Sequence, residues 1–556
     1  MTETAEERAR HLSPRAKLEI LFAMLLAMFL FALDQTVVGV ALPRILTELN
    51  GNDLYTWSVA IYLLTSTISG PIYGKLSDLY GRRPIVIFAV TLFLISSLGA
   101  GLSNSKELFI LFRGLQGLGG GAVFPIALAV VADLYTPAER GKYLGSFGAV
   151  FGLSSVIGPA LGGIITDTWG WHWIFFINLP IGLVALFILW RLLPAIRHPE
   201  AGRDIDYLGA AVFTAAVAPF LIGLTNKASG NWTDPAVGGL MLLGLVLAAV
   251  FVWIESRAAD PIVPLGLFRL RTFSISVAAM FFAGFGFLTA IVFLPRWLQA
   301  VAGESATVSG YNLLPLLLGL IVSATMSGQI VARIGRYKWL MVGSLALLGL
   351  ALLLMTNLRA ETDRPALWLW MVLAGLGIGP SFAVFTLIVQ NAVSPDRIGV
   401  ATSSLTFFQQ IGGTVGLTIG GTLFADRFKT EVPAQLVAAG VPQQMVDGFN
   451  AAGGNALDLT GTGDLGAAIL NATPEAFRPL VEPQIPNIVK GIHEALSIAI
   501  ASTFWVGIVA ALTAAVLVVF LHEVPMRTTF EGGSDLREGE APATEVGAGQ
   551  RGVAAG

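Results

Sequence analysis

An ionisable residue stands near the middle of a long apolar run. The run "LFAMLLAMFLFALDQTVVGVALPRI" covers residues 21–45, and Asp34 lies near its centre. A carboxylate at that depth of an apolar span is costly and is a functional candidate by default. Dehydration favours its neutral acid, whereas a nearby cation or water favours the anion. If its access alternated between two sides, Asp34 could take up a proton on one side and release it on the other. A purely structural hydrogen-bonding role is the alternative.

The composition indicates that the element around Asp34 lies in a bilayer. Of 556 residues, 55% are hydrophobic and only 12% are charged, whereas soluble domains carry about 25% charged residues. The absence of cysteine from the sequence excludes a disulfide or a cysteine nucleophile, and five scattered histidines disfavour a metal cluster. The net charge of -3, without a basic block, gives no sign of nucleic-acid binding. We therefore predict an integral membrane protein with no nucleic-acid partner.

Apolar segments long enough to cross a bilayer, about 20 residues each, recur along the chain. Fourteen helices are predicted, near residues 18–42, 55–74, 84–102, 107–132, 143–166, 173–193, 206–226, 236–255, 273–298, 308–332, 338–357, 366–391, 399–424 and 493–521. Most of the 33 Lys and Arg residues fall between spans on one side. Basic loops stay in the cytoplasm, so both termini are predicted to be cytoplasmic.

The spans divide the chain into two halves and an insertion. The predicted parts are a cytoplasmic segment 1–17, a six-helix half 18–200, two inserted helices 201–260, a second six-helix half 261–524 with an extracellular loop 426–490, and a disordered cytoplasmic tail 525–556. The loop 426–490 is predicted to form a small hairpin or a mobile flap.

The two halves resemble each other. "GLGGGAVFPIALAVVADLYTPAERG" (117–141) aligns with "GLGIGPSFAVFTLIVQNAVSPDRIG" (375–399), and "GKLSDLYGRRP" (74–84) aligns more loosely with "GQIVARIGRYK" (328–338). Duplicated halves are typical of transporters, whose binding site lies between the repeats near the bilayer midplane.

At three aligned positions only the first half carries a charge. The charged residues of the first half align with uncharged residues of the second: Asp78 with Ala332, Arg113 with Met371 and Asp133 with Asn391. We interpret this as a concentration of charge-dependent coupling in the first half. Drift at tolerant positions is the alternative.

Five stretches resemble the major facilitator superfamily and, within it, the fourteen-helix drug/proton antiporter family. They are "LDQTVVGVALP" (33–43), "GKLSDLYGRRP" (74–84), "RGLQGLGGG" (113–121), "GAVFGLSSVIGPALGG" (148–163) and "WHWIFFINLPIG" (171–182). The resemblance covers nearly all of residues 15–525. It implies an all-α integral membrane fold of two six-helix halves plus two inserted helices, and a multidrug efflux function.

The resemblance implies that the motif at 74–84 closes the cytoplasmic side. Asp78, at the end of its helix, can meet Arg82 and the positive N-terminal end of another helix, which the resemblance places near Arg397. The predicted latch comprises Gly74, Asp78, Gly81, Arg82 and Arg83. Gly74 would permit close helix approach and Gly81 a tight turn. The alternative is that the basic residues only anchor the topology.

The stretch 148–163 resembles the helix motif associated with antiporters. The predicted motif residues are Gly148, Gly152, Gly158, Pro159, Gly162 and Gly163. Glycines four apart let helices touch closely, and a proline within the run bends the helix. We predict a tight, bent contact that limits leak between two access states. Generic packing would explain the glycines alone.

The resemblance supplies neighbours for Asp34. A buried Arg113 keeps its charge and needs a partner, so we predict that it interacts with Asp34 directly or through water. Gln116, one turn away, could share the network. The alternative is that Arg113 snorkels to the outer surface. Asp133 is expected to be a solvated cap or loop bridge.

The substrate cavity is predicted from apolar, aromatic and neutral polar residues within the spans. Its predicted lining is Phe31, Tyr62, Gln116, Phe285, Gln390, Asn391, Phe407, Gln409 and Gln410. For the aromatic residues, contact with lipid or core is an equal alternative.

These observations predict a proton-coupled exporter of amphipathic compounds that works by alternating access in the cell membrane. Its expected partners are such substrates and membrane lipid, its coupling ion is the proton, and it is expected to need no other cofactor and to act as a monomer. The main alternative is an exporter of a specific lipid or metabolite. A membrane enzyme or receptor is disfavoured because no phosphate-loop motif and no long soluble domain occur in the sequence.

Overall fold

A computed structural model describes residues 12–49, 55–194, 205–227, 230–451, 465–473 and 475–524. The predicted tail 525–556 and most of the predicted segment 1–17 lie outside the described residues. The first half contains helices α1 (Pro14–Glu48), α2 (Tyr55–Tyr80), α3 (Arg82–Gly101), α4 (Lys106–Gly120), α5 (Val123–Leu134), α6 (Pro137–Thr168), α7 (Trp173–Phe176) and α8 (Asn178–Leu192).

The insertion and the second half continue the helical pattern. The inserted helices are α9 (Tyr207–Asn226) and α10 (Leu240–Glu255), the latter preceded by a π-turn at Pro235–Gly239. The second half contains α11 (Arg271–Ala300), α12 (Ala306–Asn312), α13 (Leu314–Ile334), α14 (Lys338–Met355), α15 (Arg364–Ala392), α16 (Ile398–Ala438), α17 (Gln443–Ala451), α18 (Leu465–Ala472), α19 (Arg478–Val481) and α20 (Ile485–Val519). Short 3₁₀ turns occupy Leu265–Arg269, Pro395–Arg397, Glu475–Phe477 and Glu482–Gln484.

Each of the fourteen predicted spans corresponds to a helix or to a pair of consecutive helices. Within the described residues, 11 segments are long and apolar enough to cross a membrane. The remaining three spans are α2, α6 and α16, which are rich in glycine, serine and threonine. These three helices contact the opposite half, because α2 packs on α16 and α6 packs on α13. Their lower hydropathy therefore marks the interface between the halves.

The turn after α2 and the turn after α13 show that the sequence repeat is a structural repeat. Gly81 has φ 93° and Gly335 has φ 73°, and these two glycines occupy the same position of the aligned stretches 74–84 and 328–338. A positive φ is strained for any residue with a side chain. Both halves thus turn in the same way at the end of the bundle that the basic loops predict to be cytoplasmic.

The inserted pair packs on the outside of the interface between the halves. α9 contacts α2 and α16, and Phe213 of α9 lies with its ring centroid 5.2 Å from that of Phe407 on α16. At the end of α10, the buried Glu255 accepts backbone N–H groups of Ile262 (3.1 Å) and Val263 (3.3 Å). This carboxylate fixes the connection from the insertion into the second half.

The segment 426–490 differs from the predicted loop. α16 continues to Ala438 and α20 begins at Ile485, so both ends of the segment are helical. Asp426, Arg427 and Lys429 end the apolar part of α16 but not its helix. A helix can continue through charged residues beyond the bilayer, because they do not break its backbone hydrogen bonds. Hydropathy alone therefore does not show where the helix ends.

Candidate functional site

Asp34 is at the centre of a buried hydrogen-bond network in the first half. It is 2% exposed, and its Oδ2 lies 2.5 Å from the Nη1 of Arg113, which is 3% exposed. Gln116 Nε2 donates to Asp34 Oδ1 at 2.8 Å, and Arg113 Nη1 also donates to Gln116 Oε1 at 2.8 Å. Arg113 and Gln116 are three residues apart on α4 and therefore share one helix face. Arg113 is thus paired in the interior and does not snorkel.

Asn178 is a further hydrogen-bond donor to this carboxylate, and the sequence did not predict it. Its Nδ2 lies 3.2 Å from Asp34 Oδ1 and 3.0 Å from Ser97 Oγ, and the Asn178 side chain is buried. It lies within the stretch 171–182, whose resemblance to the antiporter signature was the available signal. Asp34 therefore accepts N–H groups from α4 and α8, which ties three helices of the first half together.

An aromatic pair covers the guanidinium group. The Arg113 Cζ lies 4.3 Å from the ring centroid of Tyr62, and Tyr62 stacks on Phe31 with centroids 5.7 Å apart. A Cβ at Gly120 would lie 2.5 Å from the Phe31 ring, so the glycine allows this close packing. Phe31, Tyr62 and Gln116 thus belong to the Asp34 network.

The predicted latch joins the two halves at the predicted cytoplasmic end. Asp78 Oδ1 accepts the backbone N–H of Gly399 at 3.1 Å and its Oδ2 accepts that of Val400 at 2.8 Å. These are N–H groups of the first turn of α16, which have no partner within their own helix. Asp78 also pairs with Arg82. The helix start near Arg397 is therefore the one that meets Asp78.

Two other residues near the latch, Asp133 and Arg83, have partners within the first half. Asp133, expected to be a solvated cap or bridge, has a side chain only 3% exposed, and its Oδ2 accepts Arg82 Nε at 3.0 Å. Arg82 thus connects two acids. Arg83 instead donates to the carbonyl oxygen of Trp190 within the first half, so it does not bridge the halves.

Glycines close the interface on both sides of the bundle in a symmetric way. A Cβ at Gly74 would lie 2.9 Å from the carbonyl oxygen of Gly399, and a Cβ at Gly328 would lie 2.4 Å from that of Gly141. Gly74 aligns with Gly328, and Gly141 aligns with Gly399, in the two repeated stretches. The close backbone contact is therefore duplicated, whereas among the described residues the ionic latch is found on the α2–α16 side, since Ala332 of α13 stands where α2 has Asp78.

The glycine motif of α6 faces two neighbours. A Cβ at Gly148 would lie 2.5 Å from Leu320 of α13, whereas one at Gly158 would lie 2.0 Å from Thr36 Oγ1 of α1, and one at Gly162 would lie 3.0 Å from the Val37 carbonyl oxygen. Pro159 lies inside α6, and Gly152 lies within the same helix. α6 thus connects the Asp34 helix to the second half.

We expect Gly158→Ala to weaken this connection. The added methyl would overlap Thr36 Oγ1, which donates to the Ser154 carbonyl oxygen at 3.0 Å. Overpacking of this kind costs about 1–3 kcal/mol, so we expect a lower unfolding temperature in detergent and a faster proton leak in proteoliposomes. Gly163→Ala is the matched control, because nothing lies within 4 Å of its Cβ position. Equal leak from both variants would contradict the assigned contact.

The aromatic signature at 171–182 anchors α1 at the opposite end. Trp171 Nε1 donates to Glu48 Oε2 at 2.8 Å. This hydrogen bond, together with the nearby Arg44 guanidinium, holds the pKa of the Glu48 carboxyl below its ordinary value against the opposing effect of partial burial. The interaction keeps the end of α1 fixed against the α6–α7 connection.

The structure does not gather the predicted cavity residues into one lining. Gln390 is 2% exposed and its Nε2 donates to the Leu128 carbonyl oxygen at 3.2 Å, so it joins the two halves rather than facing a cavity; Asn391 is equally buried. Phe407 packs on the inserted α9, and Phe285 packs against Gly416.

A cavity of ≈ 650 Å³ lies elsewhere, between α2, α9 and α16. None of the nine predicted cavity residues lines it. One predicted residue, Gln410, contacts the lining, because Thr67 of the lining donates to Gln410 Oε1 at 3.0 Å. Gln409 is half-buried on the same helix. Composition did not reveal the cavity because its walls come from α2, α9, α16 and, through Arg296, α11, which are distant from one another in the sequence.

The two repeated helical halves, the inserted pair and the buried ion pair define a multi-pass membrane transporter of the two-half class. The sequence profile of the Major Facilitator Superfamily matches residues 24–417. The chain belongs to this superfamily, as the resemblance of its motifs predicted.

Relatives and solved structures agree with this assignment. The chain is 34% identical over 530 residues to the multidrug transporter protein MdtP of Bacillus subtilis, covering 95% of this chain and 96% of that protein. It is 33% identical over 515 residues to multidrug resistance protein 3 of the same organism, covering 92% and 96%. The fold is similar to that of the proton:xylose symporter XylE, with a TM-score of 0.59 at 14% identity over 94% of this chain and 99% of that one.

Proposed function

We propose that this chain exports amphipathic or hydrophobic compounds in exchange for protons, as a multidrug antiporter that works by alternating access. The observation that carries the proposal is the buried Asp34–Arg113 pair with Gln116 and Asn178 around it. The names of its relatives support the multidrug part. We further propose that it is a monomer in the cell membrane, with both termini cytoplasmic.

The donor set around Asp34 suits the ionised carboxylate. Three N–H groups point to its oxygens, and a protonated acid would lose part of this acceptor capacity. Arg113 would keep two other contacts when Asp34 is neutral, namely Gln116 Oε1 at 2.8 Å and the face of Tyr62 at 4.3 Å. A proton and Arg113 therefore compete for one carboxylate, and neither outcome leaves the guanidinium isolated.

A chain of contacts connects the Asp34 helix, α1, to the interface between the halves. Thr36, two residues after Asp34, donates to the Ser154 carbonyl oxygen of α6 at 3.0 Å. α6 in turn packs on α13 of the second half. A small displacement of α1 on protonation would reach the inter-half contact through this packed helix. The latch at Asp78 would then open or close as the halves rock.

The test is proton movement driven by substrate in proteoliposomes that contain an internal pH-sensitive dye. Ethidium, tetraphenylphosphonium and deoxycholate serve as chemically unrelated probes. We expect the wild-type protein to accumulate at least two of them when a proton gradient is imposed. Asp34→Asn should still equilibrate the probes but should lose accumulation, because its amide cannot carry the proton.

Asp167→Asn is the matched control, because the Asp167 side chain is 79% exposed. Accumulation by Asp34→Asn at the wild-type level would overturn the proton role of Asp34. Transport of a single lipid or metabolite, with no response to the unrelated probes, would favour the specific exporter on the same scaffold.

A further inference from the structure

The cavity between α2, α9 and α16 begins where the two halves separate. α2 and α16 run antiparallel and touch at the predicted cytoplasmic end, where a Cβ at Gly74 would lie 2.1 Å from Ser403 Oγ. Further along, Thr67 donates to Gln410 Oε1 at 3.0 Å. Beyond this bond residues of both helices line the cavity, with Leu64 on α2 and Thr414 on α16.

The inserted helix closes the third side of the space. Leu221 and Thr225 of α9 belong to the lining. The gap between the halves is therefore bounded by a helix of the insertion, which belongs to neither of the two repeats. The insertion gives the cavity a wall of protein where two separated halves alone would expose it to lipid.

Threonines give this apolar space its polar character. Thr414, Thr418 and Thr422 are four residues apart on α16, so they follow one another along one helix face. Their hydroxyls donate to the carbonyl oxygens of Gln410 (2.9 Å), Thr414 (3.0 Å) and Thr418 (3.0 Å), respectively. Thr225 of α9 similarly donates to the Leu221 carbonyl oxygen at 2.9 Å.

These bonds decide what the cavity can recognise. A hydroxyl has one proton to donate and two lone pairs to accept with. Every threonine of the lining, including Thr67, uses its proton within the protein. The threonine hydroxyls of the lining therefore offer a ligand hydrogen-bond acceptors rather than donors.

The charged residues at the predicted extracellular edge of the cavity are two cations, Lys227 and Arg296, and one carboxylate, Asp426. Lys227 Nζ lies 5.2 Å from the Trp232 ring and donates to the Gly230 carbonyl oxygen at 3.1 Å, and the Arg296 Cζ lies 4.5 Å from the Phe424 ring. Asp426 is exposed at this edge. Both cations are thus engaged by protein groups, whereas the carboxylate can meet a ligand that enters from outside.

We propose that this cavity binds amphipathic amines, with the apolar body against the leucines and the N–H groups on the threonine oxygens. The proposal rests on the export function proposed above and names one substrate class for it. It places recognition at the joint between the halves and the insertion, at residues separate from the Asp34 network.

The test compares two probes that differ only in N–H groups. A dansyl-labelled primary alkylammonium and its N,N,N-trimethyl analogue carry the same charge and chain, and their binding to the purified protein in nanodiscs is measured by fluorescence without a proton gradient. We expect Thr414→Val/Thr418→Val to weaken the primary amine about tenfold, the effect of a lost hydrogen bond to a charged group. The trimethyl analogue should change less than about twofold, because it donates no N–H to either hydroxyl.

Two further variants make the result specific. Thr418→Ser keeps the hydroxyl and should bind the primary amine as the wild type does. Thr214→Val removes a threonine of α9 that makes the same kind of bond, to the Ala210 carbonyl oxygen at 2.8 Å, but is not part of the lining; it should leave binding unchanged. Equal weakening of both probes, or unchanged binding of the primary amine by the double variant, would overturn the proposal.

The binding test can fail independently of the transport test. If the wild-type protein accumulates the probes and the double variant still binds the amine as the wild type does, the export function stands and the proposed binding site is wrong. Conversely, specific amine binding without proton-driven accumulation would keep the site and refute the antiport.

Discussion

Replacement of Arg113 by alanine is expected to lower the free energy of unfolding by about 3–5 kcal/mol. The variant would leave Asp34, whose side chain is 0% exposed, without its cation. Gln116 and Asn178 would still donate to the carboxylate, but neither carries charge. Breaking a buried pair on one side is costly because the remaining charge has neither water nor a counter-ion. Thermal unfolding in detergent measures the stability, and probe accumulation measures the accompanying loss of transport.

A double variant separates charge from packing. Asp34→Asn/Arg113→Gln removes both charges and retains polar side chains, so it should recover most of the stability lost in Arg113→Ala. Arg113→Lys keeps the charge but cannot bond Asp34 and Gln116 from one planar group, and it should be intermediate. If Arg113→Ala unfolded at the wild-type temperature, the ion pair would not hold the helices of the first half together.

Replacement of Gly74 by alanine is expected to force the predicted cytoplasmic end open. The new Cβ would lie 2.1 Å from Ser403 Oγ and 2.9 Å from the Gly399 carbonyl oxygen, and the backbone oxygen cannot rotate away. α2 and α16 must then separate, which lengthens the hydrogen bonds from Gly399 and Val400 to Asp78. We expect at least a tenfold loss of accumulation, because each transport cycle would have to close this contact.

Spin labels can measure this opening directly, since the chain contains no cysteine that would take up label elsewhere. Cysteines introduced at Tyr80 and Ile334 are suitable, because both positions are exposed and lie at the same end in opposite halves. Their distance distribution should shift to longer values in Gly74→Ala. Gly343→Ala is the matched control, with nothing within 4 Å of its Cβ position.

A second substitution, at Ser403, should partly reverse the effect of Gly74→Ala. Ser403→Gly removes the two nearest obstructing atoms, the Cβ and Oγ of Ser403, and leaves the Gly399 oxygen at 2.9 Å from the new methyl. Gly74→Ala/Ser403→Gly should therefore recover part of the short-distance population. An unshifted distribution in the single variant would show that the glycine contact does not control closure.

The sequence by itself determined the membrane class and the positions of the long helices, and it singled out Asp34 as an ionisable residue within a span. These conclusions follow from hydropathy, glycine spacing and the cost of a buried charge, all of which act locally along the chain. The aligned repeats show a charge at position 78 of the first half and none at the equivalent Ala332, and Asp78 is the carboxylate of the latch. Motif resemblance supplied Arg113 and Gln116 as neighbours of Asp34.

The tertiary structure decided which distant residues meet. Asn178 reaches Asp34 over 144 residues, and Thr67 reaches Gln410 over 343. Periodicity indicates which face of a helix is polar, but not which helix lies opposite it. For the same reason Gln390 could be expected to line a cavity, although its amide in fact bonds across the interface. The position of the cavity beside the inserted α9, and the direction of its hydroxyls, depended on helix packing that no local property of the sequence encodes.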